Sequence, residues 1–252
     1  MSSAEVIDID RQETWPGSVI DIIDHLVAMA PNVPLVFQDL PHHIDFTGCD
    51  QWLRRSLAGR QLRVFHATRL LIHEAESIRV SGLRPLTEQL VHDRQNQALS
   101  RGYISDAEHT ALRDVSLFRI EGQRKGALDL SERVCFASTR YPLRAHALDD
   151  QLSNWGGEVQ YNNAAWREID SDRVKKLGRP AVVVALIDGS DPELSHVSMP
   201  DLIVTFVGGR LGLHDAGVTI HHRGPVRGEQ IEAILHPGDP EYDALMMSSG
   251  QR

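Results

Sequence analysis

The chain has 252 residues, enough to bury a sizeable core in one large domain or in one domain with an appended segment. Its formal net charge of −9 argues against a passive nucleic-acid coat, because phosphate binding is driven by Lys and Arg. Only Cys49 and Cys135 are present, no apolar run approaches the ~20 residues of a membrane span, and MSSAEVIDID lacks the apolar region of a signal peptide. We therefore expect a soluble cytoplasmic protein without a disulfide framework.

The first sixty residues are predicted to form a helical flank. Residues 18–30 carry apolar side chains at helical spacing and stop at Pro31. Residues 50–58 predict a second helix, with Asp50 as its cap and Gly59 after its end. The segment shows no recognisable chemistry, so we divide the chain into a flank over residues 1–60 and a main domain over residues 61–252.

The main domain is predicted to begin with a strand and three helices. QLRVFHAT alternates apolar and polar residues and predicts a strand that ends at His66. A helix follows it and is closed by Gly82. Residues 86–101 and 105–117 predict two more helices, and the second has the capping-box spacing of Ser105 and Glu108.

The remainder of the chain is predicted to be rich in strands. RVCFAST predicts a second strand, and a helix over YPLRAHALDDQLSNW leads into Gly-Gly-Glu. Four short apolar runs follow, separated by Gly, Pro and Asp: AVVVALI, DLIVTFV, GVTIHH and QIEAIL. We interpret FVGGRLG between them as a hairpin turn, because no helix is expected after it to hold a dinucleotide phosphate. The layout predicts an α+β fold with a mostly antiparallel sheet.

Three short motifs carry the candidate chemistry: FHAT at a strand end, VCFAST in the second strand, and WGGE about twenty residues later. A Gly-Gly before a carboxylate is either an ordinary tight turn or a backbone that approaches a ligand closely. The paired histidines at 42–43 and 221–222 lack a Cys or Glu-x-x-His partner at ligand spacing, so no metal site is predicted.

In their order, these motifs resemble the ADP-ribosyltransferase superfamily over roughly residues 61–235. The similarity is to the branch with a His in the first core strand, which includes diphtheria-type toxins and poly(ADP-ribose) polymerases. The resemblance implies a split antiparallel sheet that holds NAD, as a substrate, in a cleft. It also implies a glycosyltransferase activity that releases nicotinamide and modifies a macromolecular acceptor.

The resemblance assigns a role to each matching residue. Glu158 would be the catalytic carboxylate, His66 would hydrogen-bond the ribose of NAD, and Thr68 would support that strand end. Arg69 and Arg84, just past FHAT and Gly-Leu, are candidates for clamping the pyrophosphate, because arginine binds it bidentately. At the position before Phe136, where the polymerases carry an aromatic residue that stacks on nicotinamide, this chain has Cys135; either Phe136 or Tyr141 would replace that aromatic residue.

Several alternatives stay open at the sequence level. The same fold supports RNA 2′-phosphotransfer or NAD hydrolysis, and a catalytically inactive module would use it to bind a nucleotide. The acceptor is a protein, DNA or RNA, and a neutralising partner protein is possible for a toxin-like enzyme. Residues 86–125 carry six basic side chains in an acidic chain, so this stretch is a candidate surface for an anionic acceptor.

Overall fold

The computed structural model of the protein describes residues 5–30, 36–43, 45, 48–114, 116, 118, 131–144, 152–156, 172–194, 198–213 and 215–247. Its strands are β1 (Val6–Ile7), β2 (Gln61–Leu70), β3 (Val134–Ala137), β4 (Arg179–Asp188), β5 (Thr219–His222) and β6 (Ile231–Leu235). Its α-helices are α1 (Gly17–Met29), α2 (Leu40–His43), α3 (Cys49–Leu57), α4 (Ile72–Ser81), α5 (Glu88–Ser100), α6 (Asp106–Asp114), α7 (Arg140–Arg144), α8 (Asp172–Lys175), α9 (Ser198–Arg210) and α10 (Pro240–Met246). The predicted α+β class is confirmed.

The six strands form one sheet with β2 at its centre. The strand order is β5-β3-β2-β4-β6, and β1 pairs with the beginning of β2. All neighbours are antiparallel except β1 and β2, which are parallel. β2 and β4 pair along ten residues, whereas β2 and β3 share the single pair Phe65–Ala137. The sheet is therefore weakly joined between β2 and β3, next to His66.

The alternation of side chains along β2 divides the core between the two faces of the sheet. On one face, Leu62 and Val64 belong to a large buried cluster that includes residues of α1, α3 and α9. On the other face, Phe65 packs with Leu143 of α7 and Leu245 of α10 in a smaller cluster. Helices thus cover both faces, and His66 points to the side of Leu62 and Val64.

The first sixty residues are helical in part. Helices α1, α2 and α3 are present, as predicted for a flank, but β1 joins the main sheet through the pair Val6–Gln61. Helix α3 begins at Cys49 with Gly48 as its cap residue, so the prediction that Asp50 caps it was wrong. The division of the chain at residue 60 stays a prediction.

Helix α9 corrects two predictions made from the sequence. DLIVTFV was expected to be a strand and FVGGRLG a hairpin turn, but the helix runs from Ser198 to Arg210. The buried apolar residues of α9 include Leu202, Phe206 and Val207 and lie on more than one side of the helix. The sequence therefore shows neither the period of an amphipathic helix nor the alternation of a half-buried strand. Gly208 serves close packing here, because a Cβ at this position would lie 2.8 Å from Phe37.

The predicted glycine at the end of α4 supports a sharp prediction about stability. Gly82 has a φ of +82°, and a Cβ there would lie 1.7 Å from the carbonyl oxygen of Val226. Val226 is held in place by its antiparallel bridge to Leu83. We expect Gly82→Ala to cost about 1–2 kcal/mol for the left-handed backbone. The forced contact adds about 1–3 kcal/mol to the loss. Urea unfolding measures the total.

Gly102 supplies the matched control, since its φ is +73° and a Cβ there would meet nothing within 4 Å. Gly102→Ala is expected to show only the backbone cost. Equal losses in the two variants would contradict the close contact at Gly82.

Candidate functional site

His66 lies at the point where β2 and β3 separate. Its Nδ1 atom is 2.9 Å from the carbonyl oxygen of Cys135, and its ring meets Phe136 edge to face with centroids 6.0 Å apart. A carbonyl oxygen can only accept, so Nδ1 donates and a neutral ring keeps Nε2 as an acceptor. Among the described residues, none hydrogen-bonds to Nε2. His66 is thus partly buried and held at Nδ1, whereas no residue in the described part of the chain occupies Nε2.

Electrostatics keep this ring neutral. Burial lowers the pKa of His66 below its ordinary value, and the positive charge of Arg94 lowers it further. The hydrogen bond to Cys135 opposes both effects, but the net direction is downward. At neutral pH, His66 is thus an uncharged hydrogen-bond acceptor, which suits a sugar hydroxyl.

The residues predicted around His66 are only partly brought together. Thr68 is buried two residues further along β2, on the same side as His66. Phe136 is only 1% exposed, so its ring faces are occupied by the core and offer no surface for stacking. Tyr141 is 41% exposed, but its helix, α7, packs on the opposite face of β2. Neither aromatic residue lies beside His66 with a ring face open to a planar ligand.

The two predicted pyrophosphate arginines have different surroundings. Arg69 donates to four main-chain carbonyls, those of Leu152, Lys176, Leu177 and Gly178, at 2.8–3.0 Å. Its guanidinium ties separate segments to β2, so its contacts do not support a clamp on a ligand. Arg84 forms an exposed ion pair with Asp93, with 3.2 Å between nitrogen and oxygen. Such pairs contribute little, so Arg84 is easily released to bind an anion.

Glu158, the predicted catalytic residue, lies outside the described residues, but the beginning of its motif is described. Trp155 is 1% exposed, and its main-chain N–H donates to the carbonyl of Lys175 at 2.7 Å. Gly156 follows with a φ of +99°, a conformation that other residues rarely adopt. The motif thus starts from a buried tryptophan and turns at a position that requires glycine.

A buried ion pair between Glu74 and Arg94, which the sequence did not reveal, contacts Trp155. Glu74 is held by Arg94, whose Nε and Nη2 donate to the two carboxylate oxygens at 2.7 Å and 3.2 Å. The same carboxylate accepts from the Leu71 main-chain N–H at 2.8 Å and from the Trp155 indole N–H at 3.2 Å. The Arg94 guanidinium lies over the Trp155 ring, 5.4 Å from its centroid.

The pKa of Glu74 records these contacts. Burial alone would raise it, but the charge and hydrogen bonds of Arg94 outweigh burial, helped by the N–H groups of Leu71 and Trp155. The net pKa is lowered, so Glu74 is a carboxylate at neutral pH. In the sequence, Glu74 stands three residues after Leu71, just past the apolar end of β2. This position indicates only a residue of the first helical turn.

The basic stretch between the first two motifs presents less positive surface than the sequence suggested. Arg94 turns inward to Glu74, and its side chain is 23% exposed. Arg101 is exposed, but Arg113 is only partly so. The remaining three basic residues, Arg119, Arg124 and Lys125, lie outside the described residues. Arg94 is therefore removed from the predicted acceptor surface.

Comparison with known proteins adds no family to these observations. The chain has no significant match among models of protein families, among curated proteins or among solved structures. Within the described ranges, no group of three or more His, Cys, Asp or Glu side chains could hold a metal ion. No helix in those ranges is long and apolar enough to cross a bilayer.

Proposed function

We propose that the chain is an NAD-dependent ADP-ribosyltransferase, which releases nicotinamide and transfers ADP-ribose to a macromolecular acceptor. The observation that carries this proposal is the state of His66. Its ring stands where the central strand leaves its neighbour and donates from Nδ1 to Cys135, and no described residue occupies Nε2, which can accept. A neutral acceptor of this kind suits a ribose hydroxyl, which is the role that the sequence resemblance gives to His66.

The weak junction between β2 and β3 also supports the proposal. The two strands share one residue pair, so the remainder of β2 past Phe65 is not paired with β3. A ligand that enters between the two parts of the sheet would meet His66 first and Thr68 two residues further along. Arg84, in the loop after α4, has an exposed ion pair that a pyrophosphate could replace at low cost.

The proposed reaction is a substitution at the anomeric carbon of the nicotinamide ribose. The bond to nicotinamide breaks, and positive charge develops on the sugar as in glycoside cleavage. A carboxylate beside the ribose stabilises that charge, and we assign this role to Glu158. Nicotinamide leaves with the bonding electrons, and a nucleophilic group of the acceptor takes its place. His66 holds the ribose in position throughout.

His66→Asn tests the proposal. Asparagine keeps a polar side chain but does not place an acceptor where Nε2 lies, so the affinity for NAD is expected to fall about tenfold, the equivalent of one hydrogen bond. Calorimetric titration with NAD measures this, and circular dichroism checks the fold. His25→Asn is the control, because His25 is exposed on α1, away from the sheet.

The pH dependence gives a second measure of the same prediction. Because the pKa of His66 is lowered from its ordinary value of 6.5, the ring is mostly neutral at pH 7 and above. NAD binding is thus expected to be constant from pH 8 to pH 7 and to weaken only as pH falls through the lowered pKa. Binding that is unaffected in His66→Asn, or that already weakens above pH 7, contradicts the assignment.

A further inference from the structure

Arg94 stands between the elements that form the candidate site. From α5 it reaches Glu74 on α4 through two hydrogen bonds, and it covers one face of the Trp155 ring. Its Nη2 also lies 3.4 Å from the carbonyl oxygen of Arg69, on the part of β2 that β3 leaves unpaired. One guanidinium therefore contacts α4, the start of the WGGE motif and the end of β2 beyond Phe65.

These contacts cost more than packing alone would require. A buried ion pair loses its hydration, and an apolar pair of similar volume commonly gives equal or greater stability. Glu74 is 9% exposed and Arg94 is 23% exposed, so both lose much of their water. The charge of Arg94 also acts on His66, which an apolar side chain could not do. The pair thus has an effect on the site besides filling space.

We propose that Arg94 is a positioning residue of the candidate site, which joins Glu74 and Trp155 to the end of β2 beyond Phe65 and keeps His66 in its ligand-accepting arrangement. The consequence for NAD rests on the proposed function, whereas the effect on His66 does not. Arg94 itself is not assigned to the reacting atoms. It acts through the residues that it contacts.

The surroundings of His66 allow the effect of the Arg94 charge on its titration to be measured apart from other charges. Within the described part of the chain, the groups that shift its titration are the Cys135 carbonyl on β3 and the Arg94 guanidinium on α5. Its cross-strand neighbour on β4 is Val183, which carries no charge. Removing the charge at position 94 should therefore move the titration of His66 in one direction, upward.

The test compares Arg94→Met, which keeps the stem without the charge, with Arg94→Lys, which keeps the charge without the planar fork. The ring of His66 is titrated by NMR in the whole chain without NAD. We expect His66 to titrate at a higher pH in Arg94→Met than in the wild type, and at the wild-type pH in Arg94→Lys. Nicotinamide release is expected to fall about 100-fold in kcat for Arg94→Met, as for a misplacement of about 1 Å.

Arg101→Met is the matched control, since Arg101 is exposed just after the end of α5. A purely structural role would lower the melting temperature of both Arg94 variants and leave the titration of His66 unchanged, which would overturn the proposal. If Arg94→Met does not fold, Arg94→Gln, which can still donate to Glu74, takes its place. A wild type that releases no nicotinamide would overturn the proposed function, and the His66 titration would still decide the role of Arg94.

Discussion

Glu158→Gln is expected to slow nicotinamide release from NAD by about 10²–10³-fold and to leave NAD affinity nearly unchanged. The substitution keeps the size and the hydrogen-bonding capacity of the side chain but removes the negative charge that would stabilise the developing cation. Single-turnover measurements with NAD labelled in the nicotinamide separate this chemical step from binding. The prediction rests on the WGGE motif, whose first residue, Trp155, contacts Glu74 and Arg94.

The control for this experiment is Glu229→Gln, because Glu229 is an exposed partner of Arg227 and has no assigned role in the reaction. It should release nicotinamide at the wild-type rate. Wild-type release from Glu158→Gln would refute the catalytic assignment. An equal loss in both variants would point to a general effect of lowering the negative charge of the protein.

Glu74→Ala is expected to destabilise the protein by about 3–5 kcal/mol, the usual cost of removing one partner of a buried ion pair. The substitution strands the Arg94 charge and leaves the N–H groups of Leu71 and Trp155 without their acceptor. For a chain of this size, the melting temperature should fall by roughly 10 °C, measured by calorimetry. Glu74→Gln keeps an acceptor and should lose less.

Glu76→Ala is the control, because Glu76 is exposed on the same helix. Its effect should stay within about 0.5 kcal/mol, as for other surface substitutions. Acid supplies an independent check. Since the folded-state pKa of Glu74 is lowered, its contribution is present above pH 4.5 and is lost as pH falls through the lowered pKa. Glu74→Ala should therefore lose less stability between pH 5 and pH 3 than the wild type does.

The sequence pattern predicted well those strands in which apolar and polar residues alternate, or which have turn residues at both ends. β2 was expected over the FHAT run and forms there, although it continues to Leu70 because β4 pairs with it along its whole length. The capping box also forms, with Ser105 N–H donating to Glu108 at 2.7 Å. These features depend on neighbours in sequence. α9 was missed because a helix buried on several sides and a buried strand have similar apolar runs.

The candidate site could also be predicted only where it depends on neighbours in sequence. His66 could be chosen from the sequence because a predicted strand end and a resemblance coincide at that residue, although β2 continues to Leu70. The Glu74–Arg94–Trp155 cluster could not, because its members come from α4, α5 and a segment far along the chain. Arg69 shows the reverse problem, since its sequence position suits a ligand clamp but four carbonyls occupy its guanidinium. Only packing distinguishes a functional arginine from a structural one.

The long pairing of β2 with β4 determines when the protein can fold during synthesis. Residues 61–70 leave the ribosome well before residues 179–188, which complete the central pair. At about 5–20 residues per second, β2 waits on the order of ten seconds with one of its edges open. An open, apolar edge is a template for pairing with other chains. The nascent chain is therefore exposed to such pairing until residues 179–188 have been synthesised.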